Sequence, residues 1–159
     1  MSNKSLSVGD LCPSFSLLDQ HGKTINSSNL IGKQILVIYF YPKDDTPGCT
    51  KEACSFRDSH TDFSDLGCTV IGISSDSVHA HLKFAEKHRL NFTLLADEGG
   101  AVRKSFGVPR ALFGILPGRV TYIIDLKGTV QGIFNSMTDP SGHISHALET
   151  VRTLQSTER

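Results

Sequence analysis

At 159 residues the chain suits a single domain spanning residues 1–159, large enough to bury roughly two-thirds of its unfolded surface. Lys and Arg number 16, as do Asp and Glu, so the formal net charge is zero. With no basic block or stripe in the chain, neither nucleic acid nor an anionic membrane is expected as a partner.

In chain order, Met1-Ser2-Asn3-Lys4-Ser5 has no hydrophobic region behind its charge, so no secretory signal is read there. The expected location is the cytoplasm, with a plastid or other organelle as the alternative if a transit peptide has been removed. Phe15-Ser16-Leu17-Leu18-Asp19 reads as a short strand closed by the turn signal His21-Gly22. Ser27 to Leu30 is a small loop or helical turn before Gly32. Ile35-Leu36-Val37-Ile38-Tyr39-Phe40 is continuously apolar and β-branched, as a central strand covered on both faces would be. The apolar run from Ile35 to Tyr41 is far too short to span a bilayer.

From Thr46 the period turns helical. Cys49, Ala53, Phe56 and Phe63 fall at i, i+4, i+7 and i+14 on one narrow stripe, and the helix should end near Gly67. Thr69 to Ser74 is a second buried strand. Ser77 caps a helix that carries Val78, Leu82 and Ala85 inward. His79, His81 and His88 in that stretch read as solvated surface residues. Thr93 to Asp97 is a third strand, and Glu98 to Phe106 a short helix. Val120 to Asp125, the turn Lys127-Gly128, and Val130 to Phe134 form an antiparallel hairpin. Ile144, Leu148 and Val151 at i, i+4 and i+7 give a closing amphipathic helix. This order predicts an α/β fold with a central mixed β-sheet flanked by helices.

The chemistry concentrates in Tyr39-Phe40-Tyr41-Pro42-Lys43-Asp44-Asp45-Thr46-Pro47-Gly48-Cys49-Thr50-Lys51-Glu52-Ala53-Cys54. The strand breaks at Pro42, and a helix restarts near Pro47. Thr46 suits the N-cap, and Pro47 the first helical position, where its missing N–H costs nothing. Cys49 then falls in the first turn, where backbone N–H groups lack helical partners and the helix dipole is positive. That setting favours the thiolate, which is the nucleophile. Four cysteines in a chain this long do not make a disulfide-stapled domain. A zinc site is not read either, because no second Cys/His pair with knuckle-like spacing follows Cys49 and Cys54.

Pro42-x-x-x-Thr46-x-x-Cys49 resembles the P-x-x-x-T-x-x-C signature of peroxiredoxins, thiol peroxidases on a thioredoxin-like fold. Thr46 to Cys54 is similar to the bacterioferritin-comigratory-protein or peroxiredoxin Q branch, which often carries a second cysteine five residues after the first. Leu116-Pro117-Gly118-Arg119-Val120-Thr121-Tyr122-Ile123-Ile124-Asp125 resembles the segment that bears the family's active-site arginine. The opening Val8-Gly9-Asp10-x-x-Pro13-x-Phe15 is family-like too, so the resemblance covers nearly the whole chain. Cys12 departs from the pattern, standing where a small residue such as alanine is more usual.

The resemblance implies that Cys49 is the peroxidatic cysteine and Cys54 the resolving one, which would form a disulfide with the Cys49 sulfenic acid. Arg119 would stabilise the thiolate and the leaving oxygen. Thr46 would cap the helix and place its hydroxyl near sulfur and peroxide, while Pro42 shapes and shields the pocket. Cys68, Lys51 and Glu52 read as structural or surface residues. The expected activity is reduction of hydrogen peroxide and organic hydroperoxides without metal, haem or flavin. Recycling would use thioredoxin or a similar dithiol protein, with the chain a monomer or weak dimer. The alternatives are a one-cysteine peroxidase recycled by an external thiol, or a thioredoxin-fold redox sensor or binding protein. A thioredoxin-type oxidoreductase is disfavoured because no C-x-x-C motif exists.

Regular helical geometry separates Cys49 and Cys54 by roughly 8.7 Å between Cα atoms, beyond the ~4.4–6.8 Å that a disulfide wants. The first turns should therefore open for that bond to form. Gly48 and the small Ala53 suggest a low cost of opening.

Overall fold

The computed structural model describes residues 5–110 and 118–157. Met1 to Lys4, and Leu116 and Pro117 of the arginine segment, lie outside the described residues. Among the described residues seven strands form one mixed sheet in the order β2-β1-β5-β4-β3-β6-β7. They are β1 (Ser16–Asp19), β2 (Thr24–Asn26), β3 (Ile35–Phe40), β4 (Cys68–Ser74), β5 (Thr93–Ala96), β6 (Val120–Ile124) and β7 (Val130–Asn135). The helices are α1 (Pro47–Asp58), α2 (His60–Asp65), α3 (Val78–Lys87), α4 (Ala101–Phe106) and α5 (Pro140–Thr157). With helices on both faces of this sheet, the chain has the thioredoxin-like α/β fold expected of it.

β3 sits inside the sheet, parallel to β4 on one side and antiparallel to β6 on the other. All six of its residues are buried, which explains its unbroken apolar sequence. The period of two sorts them. Ile35, Val37 and Tyr39 pack with Ala53 and Phe56 of α1, Phe63 of α2, Phe84 of α3 and Ala147 and Val151 of α5. Leu36, Ile38 and Phe40 face the opposite core with Phe106 of α4 and Tyr122 of β6.

Three local readings change. The single helix expected up to Gly67 breaks at Ser59, which ends α1 and begins α2. The break falls in Asp58-Ser59-His60, three residues of low helix propensity. Phe63 still reaches the core, its ring 5.8 Å from that of Phe56. Ser77 caps α3 as expected, accepting the Ala80 N–H. That helix, however, turns His81, Phe84 and Ala85 inward, while Val78 and Leu82 stay half-buried. His81 is fully buried, not solvated, whereas His79 is exposed and His88 half-buried. β2, three residues long, carries no pattern from which it could be read. Among the described residues no helix is long and apolar enough to cross a membrane.

Candidate active site

The register of the central strands builds the site. β3 ends at Phe40 opposite Val120, so the loop leaving β3 and the residue entering β6 meet at one edge of the fold. The loop is Tyr41 to Thr46, and the residue is Arg119.

Two contacts from neighbouring elements fix the loop. Asp44 is buried; its carboxylate accepts the Tyr41 hydroxyl at 2.6 Å and faces His81 Nδ1 at 2.6 Å. The second ring nitrogen of His81 is 3.0 Å from the Leu95 carbonyl. The Asp44 N–H donates to Asp76 Oδ2 at 2.9 Å, which also accepts the Ser74 hydroxyl. Asp44, Asp76 and His81 thus gather ligand-type atoms within 4.8 Å of one another, and each is engaged in holding the loop.

Asp45 turns the chain through the left-handed region (φ 62°), and α1 begins. Thr46 has the extended backbone of an N-cap, and its carbonyl accepts the Thr50 N–H. Its hydroxyl does not cap the helix. It donates back to the Lys43 carbonyl at 2.9 Å, bracing the loop instead. Pro47 occupies the start of the helix as expected, and Pro42, half-buried, opens the loop.

Cys49 lies in the first turn of α1 and is 1% exposed. Arg119 Nη2 donates to its Sγ at 3.4 Å. Gly48 makes room for that approach: a Cβ there would sit 2.8 Å from Arg119 Nη2. Arg119 Nη1 meets Glu52 Oε1 at 2.6 Å, with both side chains buried.

Glu52 is the residue that sequence reading misplaced. It was expected on the helix surface but is fully buried, on the stripe of Cys49, Ala53 and Phe56. It lies three positions after Cys49, so both face the same way. That spacing was the available signal, and the charge of Glu52 argued against using it. Burial pushes its carboxyl up to about 8, although the Arg119 guanidinium pulls it down. Its Oε2 is 3.5 Å from His143 Nδ1. His143 Nε2 lies 2.7 Å from the Ser136 carbonyl, and Nδ1 2.7 Å from the Thr121 hydroxyl. The carbonyl can only accept, so Nε2 carries the proton and Nδ1 accepts from Thr121. Burial keeps this ring neutral by lowering its pKa to about 4. A guanidinium is thus fixed between a thiol and a carboxyl that holds its own proton near neutral pH. It can place positive charge on the sulfur and on an oxygen bound beside it.

The other cysteines lie elsewhere. All four are free thiols. Cys54 is half-buried in the same helix as Cys49, and the two are not paired at disulfide distance. Cys68 is buried at the start of β4, and Cys12 is half-buried beside the Pro13 carbonyl. Burial pushes both of these thiols up to about 12, a setting that suppresses the nucleophilic thiolate.

Residues 8–133 match the model of the AhpC/TSA family. A wheat (Triticum aestivum) protein named peroxiredoxin Q, chloroplastic, is 52% identical over 94% of this chain and 68% of its own length. Among solved structures, peroxidoxin BcpB from Mycobacterium tuberculosis superposes with a TM-score of 0.86 at 39% identity, over 94% of this chain and 98% of that one. The Xanthomonas campestris bacterioferritin comigratory protein, studied for alkyl peroxide reduction, gives a TM-score of 0.81 at 29% identity, over 89% of this chain and 92% of that one. Plant relatives 50–54% identical to this chain are chloroplastic peroxiredoxin Q proteins. They overturn the expectation of a cytoplasmic protein, which rested on the absence of a secretory signal; that absence does not bear on plastid targeting.

Proposed function

This chain belongs to the AhpC/TSA family, in its peroxiredoxin Q branch, and from that premise we propose that Cys49 is the peroxidatic thiol. Membership makes the protein an oxidoreductase, a thiol peroxidase that acts on peroxides and is returned by a thiol-based reductant. The observation that carries the assignment is the buried Arg119 guanidinium, 3.4 Å from Cys49 Sγ at a helix N-terminus. Among the described residues no cation donates to the sulfur of Cys12 or Cys68.

In the reaction, the Cys49 thiolate attacks one peroxide oxygen. The S–O bond forms as the O–O bond breaks, and the departing hydroxide or alkoxide takes a proton to leave as water or alcohol. Sulfur is oxidised to a sulfenic acid and the peroxide is reduced. Arg119 stabilises the charge that moves from sulfur to the leaving oxygen. Thr46, whose hydroxyl donates to the Lys43 carbonyl, braces the loop that Pro42 opens. By analogy with the Xanthomonas protein, alkyl hydroperoxides are substrates alongside hydrogen peroxide. The plant relatives favour a plastid as the place of action.

Return of the sulfenic acid has two routes. In one, an external thiol condenses with it, releasing water, and a second thiol frees Cys49 from the mixed disulfide. The separate, free thiols of Cys49 and Cys54 within one intact helix favour this route. In the other, Cys54 attacks the sulfenic acid and a dithiol protein such as thioredoxin reduces the resulting disulfide; this requires α1 to open. A redox sensor would need the thiols but not the buried Glu52–Arg119 pair. Peroxide consumption by the Cys49→Ser, Cys12→Ser and Cys68→Ser variants tests the assignment. Only Cys49→Ser should abolish it, and near-wild-type turnover in that variant would end the proposal.

A further inference from the structure

The Arg103 side chain reaches from α4 to both halves of the site. Its Nη2 donates to the Tyr41 carbonyl at 2.7 Å and its Nη1 to the Gly118 carbonyl at 2.9 Å. These carbonyls immediately precede Pro42 and Arg119. One planar guanidinium therefore ties the peptide that starts the Cys49 loop to the peptide that carries the active-site arginine. We propose that Arg103 is a positioning residue that sets the aim of Arg119 against Cys49, an inference that rests on the peroxidase reading above.

The staple is itself held firmly. The Arg103 N–H donates to the buried Asp97 carboxylate at 2.9 Å, and the same carboxylate takes the Val102 N–H at 3.0 Å. The guanidinium lies over the Phe40 ring, 5.6 Å from its centroid, and Phe40 is the last residue of β3. On the far side, Gly118 is pressed against Pro109: a Cβ at that position would lie 1.9 Å from the Pro109 carbonyl oxygen. Gly118 thus has little room to shift, and its carbonyl offers a defined target. Arg forks can bond two carbonyls at once in a fixed plane, whereas a Lys ammonium is a point charge on a flexible stem. The role therefore depends on the shape of the guanidinium and not only on its charge.

Arg103→Lys separates the two, because it keeps the charge and loses the fork. Stopped-flow reaction of reduced protein with hydrogen peroxide would be compared with iodoacetamide alkylation of Cys49, each at pH values where alkylation has reached its plateau. Misplacement by about 1 Å can cost on the order of a hundredfold in rate, so a loss of at least about tenfold on peroxide is expected. The alkylation rate should stay within about threefold of wild type, because alkylation does not use the aimed guanidinium. Arg103→Met should show the same split; if it does not fold, Arg103→Lys carries the test. Equal peroxide rates in wild type and Arg103→Lys would overturn the proposal, and so would parallel losses on both reagents. A wild type that consumes no peroxide would overturn the peroxidase reading itself, and this proposal with it.

Discussion

Glu52 Oε1 lies 2.6 Å from Arg119 Nη1, with side chains 0% and 4% exposed, so the cation facing Cys49 is held from behind by a buried acid. Because burial raises the Glu52 carboxyl to about 8 from 4.5, folding is linked to its proton. Below the unfolded value both states are protonated and the contribution to stability is complete. Between 4.5 and about 8 the folded chain keeps a proton that the unfolded chain releases, so stability falls as pH rises, and the loss is complete above that window. Glu52→Gln removes this dependence while keeping an acceptor for Arg119. Urea unfolding should show the wild type losing stability relative to Glu52→Gln as pH rises across the window. A constant difference between the two would mean that Arg119 keeps Glu52 ionised.

In the proposed reaction Arg119 would act on the sulfur before reaction and on the leaving oxygen during it. Arg119→Ala should therefore slow peroxide attack by about a hundredfold or more, as loss of one oxyanion donor does. The deficit should persist at pH values where the Cys49 alkylation rate has reached its plateau. Measured rate constants that converge with wild type at high pH would limit Arg119 to tuning ionisation.

The sequence made the backbone of this site legible, because its signals are local. Pro42 ends β3, Pro47 starts α1, and the buried run of β3 fixes which strand the loop leaves. What escaped were polar residues whose partners lie far along the chain. Glu52 pairs with Arg119, and His81 with Asp44, across 67 and 37 positions respectively. A charged or imidazole side chain is taken for a surface residue until its partner is known, since burial without one is costly. Thr46 failed differently. Its residue type predicts capping, but the Lys43 carbonyl competes for the hydroxyl, and the loop geometry decides the outcome.

Gly48 puts stability and activity in opposition. Ala at a helical position is favoured over Gly by about 1 kcal/mol, so Gly48→Ala should not destabilise α1 by its propensity. Its Cβ would lie 2.8 Å from Arg119 Nη2, and the guanidinium must move away from Cys49. The expected result is a melting temperature close to wild type with peroxide reactivity lowered about tenfold or more. Unchanged reactivity would show that the guanidinium can yield without losing its aim.

The last prediction concerns Cys54. Sequence reading suggested that the first turns of α1 open at low cost, with only Ala53 as an anchor between Cys49 and Phe56. The structure adds Glu52, paired with Arg119 inside the fold, and Phe56 is stacked on Tyr39 with ring centroids 4.6 Å apart. Opening must therefore break the buried Glu52–Arg119 hydrogen bond as well as strip apolar contacts, and a hydrogen bond to a charged group typically contributes ~1.5–3 kcal/mol. An external thiol needs a path to the Cys49 sulfur, which is 1% exposed, but not the rearrangement of α1 that would bring Cys54 to it. Cys54→Ser should thus retain most peroxide turnover when dithiothreitol is the reductant. If peroxide treatment of the wild type does produce a Cys49–Cys54 disulfide, amide protection should fall across residues 46 to 56, because the bond cannot span an intact helix. Glu52→Ala, which removes the anchor, should then speed disulfide formation relative to wild type. Peroxide consumption would check the first, hydrogen exchange the second and timed peptide mapping the third. The disulfide found with protection of the helix unchanged would contradict the geometry, and collapse of turnover in Cys54→Ser with dithiothreitol would make Cys54 indispensable after all.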